Sequence, residues 1–194
     1  MRKKDNQKYD RILDAAADLI LSGSVGDVST TKIAKKARIS QSSIYDYFKN
    51  RDELLVTLYL RELRRLYQGD AGTDAAHLSN EAAMQVYTRH LFDYGMAHPE
   101  SMTVIQKMKG DFPVDAEAAK KIQAIIKSNP AQQLLFAGID DGTLRPVDIS
   151  LLRNMVFSTI KLHTENLLKG VYTEADVPFE QVLKMITHGI MNDK

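Results

Sequence analysis

The sequence predicts an all-α fold. Apolar residues recur at helical spacing along nearly the whole chain. Capping residues and Gly or Pro breaks cut that pattern into helix-length segments. No stretch alternates apolar and polar residues as a half-buried strand would. The 194 residues amount to about one to one and a half typical domains, enough to bury a real core. The chain has no cysteine, which excludes a disulfide framework, a thiolate metal site and a cysteine nucleophile. No apolar run approaches the ~20 residues of a membrane span. Met1-Arg2-Lys3-Lys4-Asp5 is basic but has no apolar segment behind it, so it does not read as a secretory signal. A soluble cytoplasmic protein is expected.

The first helix is expected over 8–21, where Ile12, Ala16, Leu19 and Ile20 share a face and Asp14 and Asp18 lie away from it. Ser22 and Gly23 end it. A short helix follows over about 31–37, with Ser29 or Thr30 as N-cap and Ile33, Ala34 and Ala37 facing inward. Arg38-Ile39-Ser40 is a three-residue turn. Ser40 caps a third helix that runs from Gln41 to about Tyr47. Asn50 caps a fourth, with Glu53 completing a capping box and Leu54, Leu55, Leu58 and Leu63 on its stripe. Residues 69–79 read as a loop. Further helices are expected over about 80–97, from Pro99, after a cap at Asp115 with Ala119, Ile122 and Ile126 inside, and from Pro130 to Gly142. Two long amphipathic helices close the chain, over about 148–169 and from Pro178.

Charge is uneven along the chain. The formal net charge is +1, yet the first 51 residues carry eleven basic and six acidic groups, a balance of +5. The remaining 143 carry 15 basic and 19 acidic groups, a balance of −4. A basic head on an acidic body suits contact between one end and a polyanion.

The same head holds the most informative pattern. Two short helices joined by three residues, the second opening at a Ser cap, are the plan of a helix-turn-helix. The exposed face of the second helix carries Gln41, Ser42, Ser43, Asp46 and Tyr47. Gln can bridge adenine N6 and N7, and Ser can donate or accept at several base edges. Thr30, Thr31, Tyr47, Lys49 and Arg51 supply hydroxyls and charges suited to phosphate oxygens. Tyr45 stands open between base contact and core packing. Lys35 and Lys36 read as solvated helix face. Arg2, Lys3 and Lys4 read as a basic tail that adds weak electrostatic attraction.

Thr30-Thr31-Lys32-Ile33-Ala34, Ile39-Ser40-Gln41-Ser42-Ser43-Ile44-Tyr45-Asp46-Tyr47-Phe48 and Lys49-Asn50-Arg51-Asp52-Glu53-Leu54 resemble the DNA-binding head of the TetR family of bacterial transcriptional regulators. Ile12-Leu13-Asp14-Ala15-Ala16 resembles that family's first-helix pattern. The resemblance covers roughly residues 8–60. It implies that Thr30, Thr31, Tyr47, Lys49 and Arg51 grip phosphates, while Gln41, Ser42, Ser43 and Tyr45 face the major groove. One departure stands out: Arg38 occupies a turn position where the family commonly has Gly. A left-handed backbone there costs a non-Gly residue about 1 kcal/mol, and the turn is expected to survive that cost.

The resemblance further implies a helix-turn-helix DNA-binding domain over 1–50, with a basic tail over 1–7. A helical ligand-binding and dimerisation domain follows over 51–194. The broad apolar stripes of the last two helices suit pairing with a second copy as a four-helix bundle. A two-fold dimer would present its recognition helices to a palindromic operator in double-stranded DNA. Tyr87, His90, Tyr94, Met102, Ile105, Met108, Phe112, Phe136, Met155 and His163 are candidate liners of an effector cavity and equally candidates for plain core. Their mainly neutral character points to an apolar or aromatic small molecule. The expected function is a ligand-responsive regulator, a repressor released from its operator when effector enters the body. The alternative is a ligand-independent DNA-binding adaptor or architectural protein whose body recruits a protein partner. An enzyme is not expected. The chain has no phosphate-loop pattern, no His-Glu-x-x-His and no Gly-x-Ser-x-Gly. Its five histidines form no pair four residues apart, and no cofactor or metal is expected.

Overall fold

The computed structural model describes residues 6–67, 78–109 and 114–192. They form ten helices: α1 (Asn6–Ser22), α2 (Thr30–Ala37), α3 (Gln41–Tyr45), α4 (Arg51–Tyr67), α5 (Asn80–Ala97), α6 (Pro99–Met108), α7 (Ala116–Ser128), α8 (Pro130–Asp140), α9 (Ile149–Leu168) and α10 (Phe179–Ile190). Among the described residues the only β pairing is one isolated bridge, Leu144 with Met191. The all-α expectation holds. The basic segment 1–5 and Phe112 lie outside the described residues.

Local capping sets most helix starts. Ser29 accepts a hydrogen bond from the Lys32 amide, and Ser40 accepts one from Ser43. Ser79, Asn129 and Asp148 cap α5, α8 and α9 in the same way. The Asp115 carboxylate accepts from the Ala118 amide at the start of α7. Each cap satisfies an amide that the first turn would otherwise leave without a partner. At α4 the Asn50 side chain accepts from the Glu53 amide, but the Glu53 carboxylate reaches the Lys49 amide rather than that of Asn50. The return half of the expected capping box is therefore shifted by one residue.

The helices divide into two compact units. The first takes the chain up to Arg64 together with 103–122, and the second takes Arg65–Met102 together with the chain from Gln123 onward. The first unit thus extends well past residue 50 and includes a segment remote in sequence. Ile12, Leu13, Ala16 and Ile20 of α1 are buried in it, as are Ile33 and Ala34 of α2, Ile44 of α3 and Leu54, Leu55 and Leu58 of α4. Ile105 and Met108 are also buried in this unit. In α7 the buried alanine is Ala118, while Ala119, expected inside, is exposed. Tyr9 stacks on Phe48, with ring centroids 5.3 Å apart.

Two cations tie distant backbone to this unit. The Lys107 ammonium donates to the carbonyls of Ile20, Leu21 and Gly23, each at 2.9 Å. It thereby closes the end of α1, where carbonyls lack intrahelical partners. The Arg51 guanidinium donates from Nε to the Val28 carbonyl and from Nη2 to the Val25 carbonyl. Arg61 bridges Asp14 and the buried Glu62.

In the second unit α5 packs on α8, α9 and α10. A Cβ on Gly95 of α5 would lie 2.9 Å from Thr164 Oγ1 of α9, so a side chain there would push the two helices apart. The core includes Met84, Tyr87 and Leu91 of α5, Leu152, Val156 and Ile160 of α9, and Phe179, Val182 and Ile186 of α10. The amide of Arg145 donates to the Ile190 carbonyl and that of Asn192 to the Thr143 carbonyl, which pins the α8–α9 loop to the end of α10. No helix among the described residues is long and apolar enough to cross a membrane.

Candidate DNA-binding surface and effector region

The α2–α3 turn takes the helix-turn-helix form despite its missing glycine. Arg38 sits in the left-handed region at φ 55°, ψ 48°. Its amide donates to the Lys35 carbonyl, and the Ile39 amide reaches back to Ala34 at 3.0 Å. These two bonds make the Schellman closure that usually recruits Gly. Ser40, two residues on, is extended and begins α3.

That geometry presents a polar rim. Gln41, Ser42 and Thr31 are exposed. Tyr45 is also exposed, with 52% of its surface open, which removes the core alternative for it. The Gln41 amide donates to Thr30 Oγ1 at 3.0 Å, and the Tyr45 hydroxyl lies 3.4 Å from the same oxygen. Thr30, Gln41 and Tyr45 therefore form one hydrogen-bonded group across the two helices. Ser43 turns inward to share the Ser40 hydroxyl at 2.8 Å, and Ser42 shares it at 2.9 Å. Tyr47 is half-buried between Tyr9 and Phe48. The Lys49 side chain is exposed.

Several head charges are already engaged. Lys36 pairs with Asp18 at 3.0 Å, and Lys32 donates to the Asp27 carbonyl at 2.8 Å. Arg51 holds the backbone of the α1–α2 connection through Val25 and Val28. Its guanidinium therefore acts on protein carbonyls here, whereas the sequence suggested a phosphate. A cavity of about 320 Å³ in the same unit is bordered by Lys49, Asp52, Glu53, Asp115, Glu117 and Lys121. Its lining is polar.

Of the ten expected effector liners, the nine that are described fall in two different units. Ile105 and Met108 belong to the first unit's core. Tyr87, His90, Tyr94, Met102, Phe136, Met155 and His163 belong to the second unit. There, Met102 is buried, while Phe136 and Met155 are half-buried. His90 Nε2 lies 2.6 Å from the Leu66 carbonyl. The Tyr94 hydroxyl and Ser101 Oγ are 2.8 Å apart, beside a cavity of about 410 Å³ that Arg65 and His98 also border. His163 is sandwiched between Phe92 and Tyr172, with Nδ1 3.1 Å from the Tyr172 hydroxyl. Burial holds its imidazole below the ordinary range, with Glu174 opposing weakly. Its Nε2 is buried without a partner.

Tyr87 is the most deeply placed phenol of the set. Its hydroxyl lies near the Tyr67 hydroxyl and the Gln132 amide, and burial pushes its pKa well above the usual value. Burial raises Tyr67 as well, while the nearby Arg153 charge opposes. Sequence reasoning missed Tyr67, Gln132 and Arg153. A partial signal was available for Gln132: it belongs to an amide pair, Gln132-Gln133, just before the Leu134-Leu135-Phe136 run of a largely apolar helix.

Comparison with known proteins converges with this geometry. The family model for bacterial regulatory proteins, tetR family, matches residues 12–58. A solved Lactobacillus plantarum chain assigned as a transcription regulator is 34% identical. The match covers 96% of this chain and 99% of that one, with a TM-score of 0.72. The fatty acid metabolism regulator protein of Bacillus subtilis is 26% identical over 162 residues, 81% of this chain and 82% of its own length. The structure of the Bacillus subtilis regulator FadR in complex with stearoyl-CoA is 23% identical, covers 94% of this chain and 99% of that one, and has a TM-score of 0.64.

Proposed function

The chain belongs to the TetR family of bacterial regulatory proteins and is a DNA-binding transcription regulator, and from that premise we propose a homodimeric repressor that a small molecule releases from a palindromic operator. The carrying observation is the exposed rim of Gln41, Ser42 and Tyr45 on α3, set at a left-handed turn after α2. Gln41 and Ser42 read base edges, and Tyr45 touches a thymine methyl or a phosphate. Thr31 and Lys49 bind backbone phosphates, as do Thr30 and Tyr47 at the edges of the rim.

The dimer reading rests on apolar surface at the end of the chain. Leu151 and Leu162 on α9 are 59% and 58% exposed, and Met185 on α10 is 65% exposed. Leu151 and Leu162 are about three helical turns apart and share a face. A second copy would cover them. The effector reading rests on the apolar core of the second unit and on the relatives named for fatty acid metabolism and bound to stearoyl-CoA. Acyl compounds are the first class to test. The α4 helix contributes residues to both units, so a ligand that shifts its end can change the spacing of the two heads. A tenfold loss of operator affinity needs only about 1.4 kcal/mol of differential binding.

The test is selection of bound sites from random DNA by the full-length protein. The expected result is an inverted repeat with half-sites about 34–36 Å apart. The affinity should fall roughly 10³–10⁵-fold between 50 and 200 mM salt if six to ten phosphates are held. No enriched sequence, or a flat salt response, would sink the reading.

A further inference from the structure

Thr30, Gln41 and Tyr45 meet at one oxygen. Gln41 Nε2 donates to Thr30 Oγ1 at 3.0 Å, and the Tyr45 hydroxyl lies 3.4 Å from that same atom. Gln41 and Tyr45 are exposed on α3, while Thr30 is half-buried as the first residue of α2. A threonine hydroxyl has one hydrogen to give and two lone pairs to receive with. Gln41 takes one lone pair, and a Tyr45 O–H aimed at the same oxygen takes the second. The Thr30 hydrogen is then left for a partner outside this group. A DNA phosphate oxygen, which only accepts, suits it.

The direction of the Gln41–Thr30 bond decides which base Gln41 can read. With one N–H held by Thr30, the amide keeps its other N–H and its carbonyl oxygen for DNA. One donor beside one acceptor matches adenine, whose major-groove edge offers N7 to accept and N6–H to donate. Guanine offers two acceptors, N7 and O6, and would set O6 against the amide oxygen. The reverse direction is open to a hydroxyl whose hydrogen is free. Thr30 would then donate to the Gln41 oxygen, and both N–H groups would turn outward to suit guanine. Phosphate closes that option. Once Thr30 gives its only hydrogen to a phosphate, it can meet Gln41 only as an acceptor.

We propose that Thr30 is a positioning residue for base reading: its contact with a DNA phosphate holds the Gln41 amide with the nitrogen towards Thr30, and so makes Gln41 select adenine over guanine. The proposal rests on the reading of the α3 rim given above and deepens it. Grip on the backbone and choice of base become one coupled event, carried by a chain of hydrogen bonds from phosphate through Thr30 to Gln41. The residue that sets the choice stands on α2, one helix away from the residue that makes it.

The experiment uses the full-length protein. Sites selected from random DNA give the operator, and the position at which Gln41→Ala loses its base preference is the one that Gln41 faces. Adenine is expected there, bound about tenfold more tightly than guanine. Thr30→Val keeps the side-chain shape and removes the hydroxyl. It should shrink that ratio to about twofold while discrimination at other positions stays, and Thr30→Ser should restore the ratio. Replacing the adenine by 7-deazaadenine, which lacks the N7 acceptor, should cost the parent protein about fivefold and leave Gln41→Ala unaffected. That readout does not depend on how a Thr30 variant folds. A Thr30→Val protein that binds every sequence more weakly by the same factor would reduce Thr30 to a phosphate contact and overturn the proposal. Failure of Thr30→Ser to restore the ratio, a base other than adenine at that position, or 7-deazaadenine bound as well as adenine would overturn it too. Each of those outcomes still yields an enriched operator and leaves the regulator reading standing, whereas no enriched sequence at all sinks both.

Discussion

Buried polar groups in the first unit are answered by partners from distant parts of the chain. Arg51 reaches the carbonyls of Val25 and Val28, and Lys107 reaches three carbonyls at the end of α1, while the buried Glu62 is held by its neighbour Arg61, itself paired with the distant Asp14. In the second unit, Gln132 and His163 keep buried atoms without partners. Among the described residues no such atom falls in the first unit. Completed networks hold a single geometry, which a surface that must match a fixed groove spacing requires. Incomplete ones cost stability, and proteins tolerate that cost where an occupant comes and goes. On the proposed reading, the contrast separates a part that must stay rigid from a part that would receive an effector.

The largest expected effect tests the rigid side. Arg51→Ala strips donors from two backbone carbonyls and should lower the unfolding free energy by about 2 kcal/mol, read from urea midpoints. A change within about 0.5 kcal/mol would mean that water replaces the guanidinium and that the first unit is not held as described.

A smaller effect tests the receptive side. Burial favours the neutral form of His163 in the folded protein, so its folded pKa lies below the ordinary 6.5. The unfolded chain then takes up the proton first as pH falls. The resulting stability is fully present above about pH 6.5 and declines below it. His163→Leu should flatten that decline when urea midpoints are compared between about pH 7.5 and 5.5. Equal slopes in parent and variant would remove His163 from the comparison.

The smallest effect concerns Arg38. Gly accepts φ 55° without the steric cost, but it also loosens the unfolded chain. Arg38→Gly should raise stability by about 0.5 kcal/mol or less, measured by thermal unfolding. A loss of stability would show that the arginine side chain has a partner role at the turn.

Much of this was legible in the sequence where the physics is local. The caps at Ser29, Ser40, Asn50 and Asp115 follow from side chains that bond amides three residues on. The helix-turn-helix was legible for the same reason, with fixed spacing added by the family pattern. What failed to show was tertiary. Arg51 meets carbonyls 23 and 26 residues away, and Lys107 meets carbonyls more than 80 residues away. No periodicity encodes such partners. Ile105 and Met108 read as effector liners because their stripe looks like any buried stripe, and only packing assigns them to the first unit. Gln132 was passed over because a polar residue in a helix is normally on the surface.

Lys107 has a consequence for how such proteins can be recombined. The cation that finishes α1 is encoded more than 40 residues beyond Arg64, within the 103–122 segment that completes the first unit. A single crossover near residue 64, joining this head to a foreign body, would leave that segment behind and open the end of α1. Exchange of specificities between regulators of this design therefore needs two crossovers, or a recipient that supplies its own cation at the matching place. The head is an interleaved part of the gene rather than a portable cassette.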